Sequence, residues 1–237
     1  MDDENNRFGD REKMGYLYPR PFWRRYSWQI ITAALVVLLL VFAYTTFSLP
    51  HSNTAAVLCQ SGSTDNWSGW SLGSGWKRLN NMLLNDGSNG GYNGRPTLVA
   101  PVSCQPKTMD YAVEANIQVV RFNDNYSGFG INVRRIPSSN HESGYSTYID
   151  ATNDSGANDS GANISVVGGD VLKNASFNPG TDFHVYRAEV KGNTITFLID
   201  GATVLSVVDN RYLSAGEVGL WCANAQIELS SFKVIKL

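Results

Sequence analysis

Histidine and cysteine are both scarce in this 237-residue chain, with three of each. Their spacing fits no tetrahedral zinc motif. No Gly-rich phosphate loop or dinucleotide fingerprint is present, which argues against nucleotide chemistry. Lys and Arg number 19 against 21 Asp and Glu, and the net charge of −2 comes without a basic stripe. Nucleic acid is therefore not an expected partner. Helical periodicity of useful length is missing beyond residue 50. One further absence is local: from Trp28 to Phe47 the chain carries no charged side chain.

That run of about 20 apolar residues has the length an α-helix needs to span a bilayer's hydrocarbon core. Arg20, Arg24 and Arg25 lie just before it, and no Lys or Arg follows until Lys77. The positive-inside rule then keeps the N-terminus cytoplasmic and places the larger part outside the cytoplasm. Trp28 at one end and Phe47 at the other suit the aromatic belts of the two interfaces. The run is long for a signal-peptide core, the tail before it is long, and no A-x-A site follows. The expectation is a single-pass cell-membrane protein: a cytoplasmic tail over 1–27, a transmembrane helix over 28–48, a linker over 49–57 and an outer domain over 58–237. The aromatic, proline-containing segment YLYPRPFW in the tail cannot be a regular helix through Pro19 and Pro21. It is a candidate for lying along the membrane or docking on another subunit.

The outer part alternates with period two. Val113, Ala115, Ile117 and Val119 share one face, with Glu114, Asn116 and Gln118 opposite. Phe129, Ile131 and Val133 oppose Gly130, Asn132 and Arg134. Tyr145, Thr147 and Ile149 oppose Ser146, Tyr148 and Asp150. Lys191-Gly192-Asn193 and Asp200-Gly201 read as hairpin turns, because Gly and Asn tolerate positive φ. Many short half-apolar strands imply an all-β domain of two antiparallel sheets packed face to face. Trp67, Trp70 and Trp76 should supply at least one core residue, and Trp221 another.

Residues 153–163 read NDSGANDSGAN and are expected to be a polar loop. Asp150, Asp154 and Asp159 are weak candidates for calcium ligands, although neither EF-hand nor nonapeptide-repeat spacing is met. No cofactor is otherwise expected. Glycosylation sequons begin at Asn66, Asn125, Asn153, Asn158, Asn163 and Asn174. Cys59 and Cys104 lie near the ends of expected strands and form a candidate disulfide, closing a loop of about 45 residues. Three cysteines permit three pairings, and Cys222 in GLWCANA reads as a buried thiol.

Several stretches resemble the concanavalin A-like jelly-roll superfamily: NWSGWSLGSGWKRLNNMLL, then YAVEANIQVVRFNDNYSGFGINVRR, then GYSTYIDA. The nearest groups in pattern are the laminin-G-like domains and the 3-keto-disaccharide hydrolase-type domain. The ending is most similar, with a V-x-G-N-x-I-x-x-x-I-D-G hairpin at 190–201, then G-x-V-G-L at 216–220 and F-x-V at 232–234. The resemblance covers about 58–237 and implies a fold shared by binding modules, enzymes and structural domains. Glucanases on this fold carry E-x-D-x-x-E on one strand, and nothing here matches it. Glycoside hydrolysis by retention needs two carboxyls about 5–5.5 Å apart, and no i, i+2 acid pair provides them. His141 and His184 sit in no nucleophile motif. His184 reads as a surface or satisfied structural histidine.

What remains is a binding surface. Strand parity places Asn132, Arg134, Tyr148 and Arg187 on outward faces, as a candidate patch of an aromatic platform with polar neighbours for a sugar. The alternative for each is a solvated strand face. The leading expectation is a membrane-tethered, non-catalytic module binding a glycan or a protein. An accessory subunit of a larger membrane complex and a hydrolase of modified (3-keto) glycosides are the alternatives.

Overall fold

The computed structural model describes residues 32–38, 56–62, 67–88, 97–124, 126–137, 143–152 and 159–237. The chain divides into two units, Met1–Asn53 and Thr54–Leu237. In the first, residues 32–38 are helical and exposed. Among the described residues no helix is long and apolar enough to cross a membrane. The expected anchor falls for the most part outside them, including Trp28 and Phe47.

The second unit is the expected two-sheet sandwich. Its strands are β1 (Val57–Gly62), β2 (Ser71–Leu72), β3 (Trp76–Leu79), β4 (Met82–Asp86), β5 (Leu98–Val99), β6 (Tyr111–Phe122), β7 (Gly128–Ile136) and β8 (Ser143–Thr152). After these come β9 (Asp159–Val166), β10 (Val171–Ser176), β11 (Phe183–Lys191), β12 (Thr194–Ile199), β13 (Ala202–Val208), β14 (Glu217–Ala223) and β15 (Ala225–Lys236). The first sheet runs β13-β12-β11-β6-β15-β4-β3, with β1 also paired to β15. The second runs β10-β9-β8-β7-β14-β5-β2.

Alternation decides which side chains meet between the sheets. Val113, Ala115, Ile117 and Val119 of β6 face Phe129, Ile131 and Val133 of β7, and all belong to one buried core. Trp67, Trp70 and Trp76 are all buried, and each indole N–H finds an acceptor: Asn81 O, Ser61 Oγ and Thr97 Oγ1. That pairing is what makes burial of a large polar-tipped ring affordable. The β12–β13 hairpin turns where expected, with φ of 52° at Asp200 and 80° at Gly201. Two consecutive left-handed residues match the right-handed twist of the strands they join.

Cys59 and Cys104 form a disulfide with Cα atoms 5.1 Å apart. It ties β1 to the 3-10 turn Val102–Cys104. Cys222 is free and buried, and burial pushes its thiol pKa up. Two expectations are corrected. Trp221 is buried but not in the inter-sheet core: Val218, Leu220 and Cys222 take the inner positions of β14, leaving Gly219, Trp221 and Ala223 on the outer face. The expected loop ends at Asp159, because residues 159–163 belong to β9 and pair with β8.

Candidate functional site

The outer face of the second sheet is built as a grid. Across β9, β8, β7 and β14, one row reads Asn163, Tyr148, Gly130 and Trp221. The row on one side reads Ser165, Ser146, Asn132 and Gly219; on the other stand Gly161, Asp150, Gly128 and Ala223. Tyr148 and Trp221 tilt toward each other with centroids 5.6 Å apart. Gly130 lies between them. A Cβ there would stand 2.5 Å from Tyr148 Cβ and 2.6 Å from Trp221 Nε1, so only glycine lets the two rings close over the strand. Trp221 Nε1 donates to Ser146 Oγ at 2.8 Å, and Ser146 Oγ to Asn132 Oδ1 at 3.4 Å.

This packing yields a direct test. Gly130→Ala should cost about 1–3 kcal/mol by overpacking. It is read as a lowered urea midpoint with unchanged slope. An unshifted midpoint would mean that the rings do not hold that position.

Toward β10 the grid opens into a polar cleft of about 190 Å³. Asp150, Ser160, Gly161, Asn163, Asn174 and Ser176 line it. Asn163 Nδ2 donates to Asp150 Oδ1 at 2.9 Å and to Gly161 O at 3.2 Å, which aims the carboxylate across the cleft floor. Burial raises the Asp150 pKa, and the Asn163 hydrogen bond only partly offsets that. Gly161 leaves the room: its Cβ would lie 3.0 Å from Asp150 Oδ1. Asn163 is 6% exposed, so its amide is committed to the fold rather than open to glycosylation. Asn174 is exposed on the edge strand. The sequons at Asn66, Asn125, Asn153 and Asn158 lie outside the described residues.

The four expected binding residues are not brought together. Asn132 and Tyr148 share this face, but both are buried, at 0% and 4% exposure, so Tyr148 is no open platform. Arg134 departs from the expected parity. The register of β7 against β8 shifts between Val133 and Ile136, and Arg134 takes φ of 52°. Gly144 and Gly216 fit closely against this bulge. The bulge re-aims the side chain, as bulges do. Its guanidinium donates to the carbonyls of Met109 at 2.8 Å, Gly192 at 2.7 Å and Tyr212 at 3.1 Å. Its backbone N–H donates to Tyr111 Oη at 2.6 Å. Arg134 is a structural clamp. Arg187 lies in β11 of the first sheet, between Glu114 and Glu189. Burial alone would lower its pKa, and the two carboxylates outweigh that and raise it.

The other expectations resolve more simply. His184 is the satisfied structural histidine expected, with Nδ1 2.6 Å from Asp200 Oδ2 and Nε2 2.9 Å from Pro179 O. Of the calcium candidates, Asp150 is held by Asn163, Asp159 opens β9, and Asp154 lies outside the described residues. Among the described residues no three His, Cys, Asp or Glu side chains are placed to hold a metal.

No protein-family model matches the chain, and no curated protein does either. Solved structures do. The carbohydrate-binding module CBM66 from Bacillus subtilis superposes with a TM-score of 0.55 at 16% identity, covering 71% of this chain and 96% of that one. The exoplasmic/lumenal domain of VIP36, bound to Ca2+ and Man3GlcNAc, gives 0.55 at 10% identity, with 75% and 88% covered. A prokaryotic β-1,3-1,4-glucanase (lichenase) derived from a mouse hindgut metagenome gives 0.51 at 10%, with 76% and 99% covered. The fold is a jelly-roll sandwich. At these identities the likeness extends to architecture and not to chemistry. Within that architecture the cleft residues Ser160, Asn163 and Asn174 escaped the sequence reading. The alternation of Gly161, Asn163 and Ser165 with Ala162, Ile164 and Val166 was the available signal.

Proposed function

We propose that residues 54–237 form a non-catalytic glycan-binding module, carried outside the cytoplasm on the apolar segment 28–48. The observation that carries this reading is the cleft of Asp150, Asn163 and Asn174 beside the Tyr148–Trp221 pair. It offers the Asp150 carboxylate, the exposed Asn174 amide and the exposed Ser176 hydroxyl to a ligand rich in hydroxyls. A volume of about 190 Å³ is below the ~300–1,000 Å³ of pockets for drug-sized ligands, and suits one sugar ring or a chain end. The two likenesses to carbohydrate-binding domains agree with it. Binding is favoured over hydrolysis because the sequence provides no i, i+2 acid pair on a single strand, and Glu114 and Glu189 are both bound to Arg187.

The test is a panel of mono- and oligosaccharides against the full chain in detergent, with Asp150→Asn and Asn174→Ala as variants. Binding should fall at least tenfold in Asp150→Asn, since a buried charge-assisted hydrogen bond is lost (roughly 1.5–3 kcal/mol). Affinity should also weaken with acid at a pH above the ordinary carboxylate value of 3.8, because burial raises the Asp150 pKa. The fold responds oppositely. A raised folded-state pKa contributes stability below the unfolded value, and that contribution is lost as pH rises through the folded one. No binding to any sugar, or binding indifferent to both variants, would remove the reading.

A further inference from the structure

The end of the sandwich where the chain enters carries a group of exposed apolar side chains. Register and hydrogen bonds place several elements there together. Val57 pairs with Ile235, and Leu237 N donates to Asp110 O. The disulfide brings Val102 beside β1. Gly192 N donates to Asp110 Oδ1, and Val208 pairs with Thr194 just past that turn. Arg134 binds three of these segments from beneath. Around this rim Val102 is 89% exposed, Val208 63%, Met109 56%, Val57 53%, Leu58 40% and Leu237 38%. Lys107, Lys191 and Lys236 stand exposed among them. Apolar tips ringed by lysines on a soluble face mark an interaction surface.

The chain itself says what lies opposite. Residues 48–55 join this end to the apolar run, and eight extended residues reach at most about 28 Å. We propose that this end rests on the bilayer surface, with the six apolar side chains entering the headgroup zone and the three lysines meeting anionic headgroups. The inference rests on the tethered reading above. Because the tether holds the surface at a high effective concentration, a shallow apolar contact suffices. The sugar cleft, near the far ends of β8 and β10, then points away from the lipid.

The test uses the full chain in vesicles of mixed phosphatidylcholine and phosphatidylglycerol. An environment-sensitive fluorophore is placed at Val208→Cys, at Leu237→Cys as a second site, and at Tyr126→Cys in the opposite loop. Cys222 is buried and stays unlabelled. The expected result is several-fold less quenching by aqueous iodide at 208 and 237 than at 126, reduced when Lys107, Lys191 and Lys236 are all changed to Glu. Equal quenching at all three sites, in chain that survives an alkaline wash with the vesicles, overturns this inference and leaves the tether standing. Chain that washes off overturns the tether, and the inference with it. Shielding in native membranes but not in vesicles assigns the rim to a protein partner, and overturns the lipid proposal.

Discussion

Replacing Arg134 by methionine should destabilise the sandwich by roughly 3–5 kcal/mol, enough to leave a marginally stable domain largely unfolded. The reason lies in what it would leave behind. The guanidinium is fully buried and answers carbonyls from the strand entry at Met109, the hairpin at Gly192 and the loop at Tyr212. Methionine fills much of the volume but leaves three acceptors without a donor, each costing about 1–3 kcal/mol when buried. Lysine keeps the charge and cannot donate in three fixed directions, so Arg134→Lys should recover little. Tyr145 sits in the same network, its hydroxyl donating to Asp209 and accepting from Tyr212 N; burial and that carboxylate hold its pKa up at about 12. The check is urea denaturation of the three forms beside Arg187→Met, whose half-buried partners remain hydrated. If Arg134→Met loses no more than Arg187→Met, the clamp is not what joins this end of the two sheets.

Arg134 also shows where strand parity stops being informative. Alternation correctly set Phe129, Ile131 and Val133 inward, because a half-buried strand has a strict period of two. A bulge breaks that period by one residue, and the glycines packed against it lie outside the strand, Gly144 at the start of β8 and Gly216 far along the chain. Nothing in GINVRR announces them. Trp221 misled for a related reason. Tryptophan in GLWCANA signals burial, and it is 2% exposed, but parity with Leu220 and Cys222 assigns it to the other face. Here the periodic signal outweighed the hydrophobic one. In NDSGANDSGAN, composition masked the strand: small polar residues read as loop, yet Ala162 and Ile164 bury on one side while Gly161 and Asn163 line the cleft on the other. The sandwich was legible because its core positions repeat locally. The site was not, because it depends on the lateral alignment of four strands.

The disulfide carries the second large expectation. Cys59→Ala with Cys104→Ala should cost about 4 kcal/mol in the chain-entropy model, since the bond spans 45 residues. For a domain of this size that corresponds to a fall in Tm of about 8–16 °C. The loss should be larger than for a bond inside a rigid sheet. Among the described residues β1 joins the first sheet through β15 alone, whereas the 3-10 turn Val102–Cys104 is flanked by Ala100 and Gln105, both hydrogen-bonded to Val218 of β14. Reduction of the unaltered chain should reproduce the shift, and the double variant should then be insensitive to reductant. Buried Cys222 keeps its thiol in both, so it supplies an internal control against nonspecific thiol effects. The same measurement bears on compartment. A bond this stabilising persists where the surroundings are oxidising, so protein taken from cells with free thiols blocked at lysis should carry Cys59 and Cys104 already joined. Recovery with both thiols free would place the sandwich in a reducing compartment and remove the outward orientation on which the glycan reading depends.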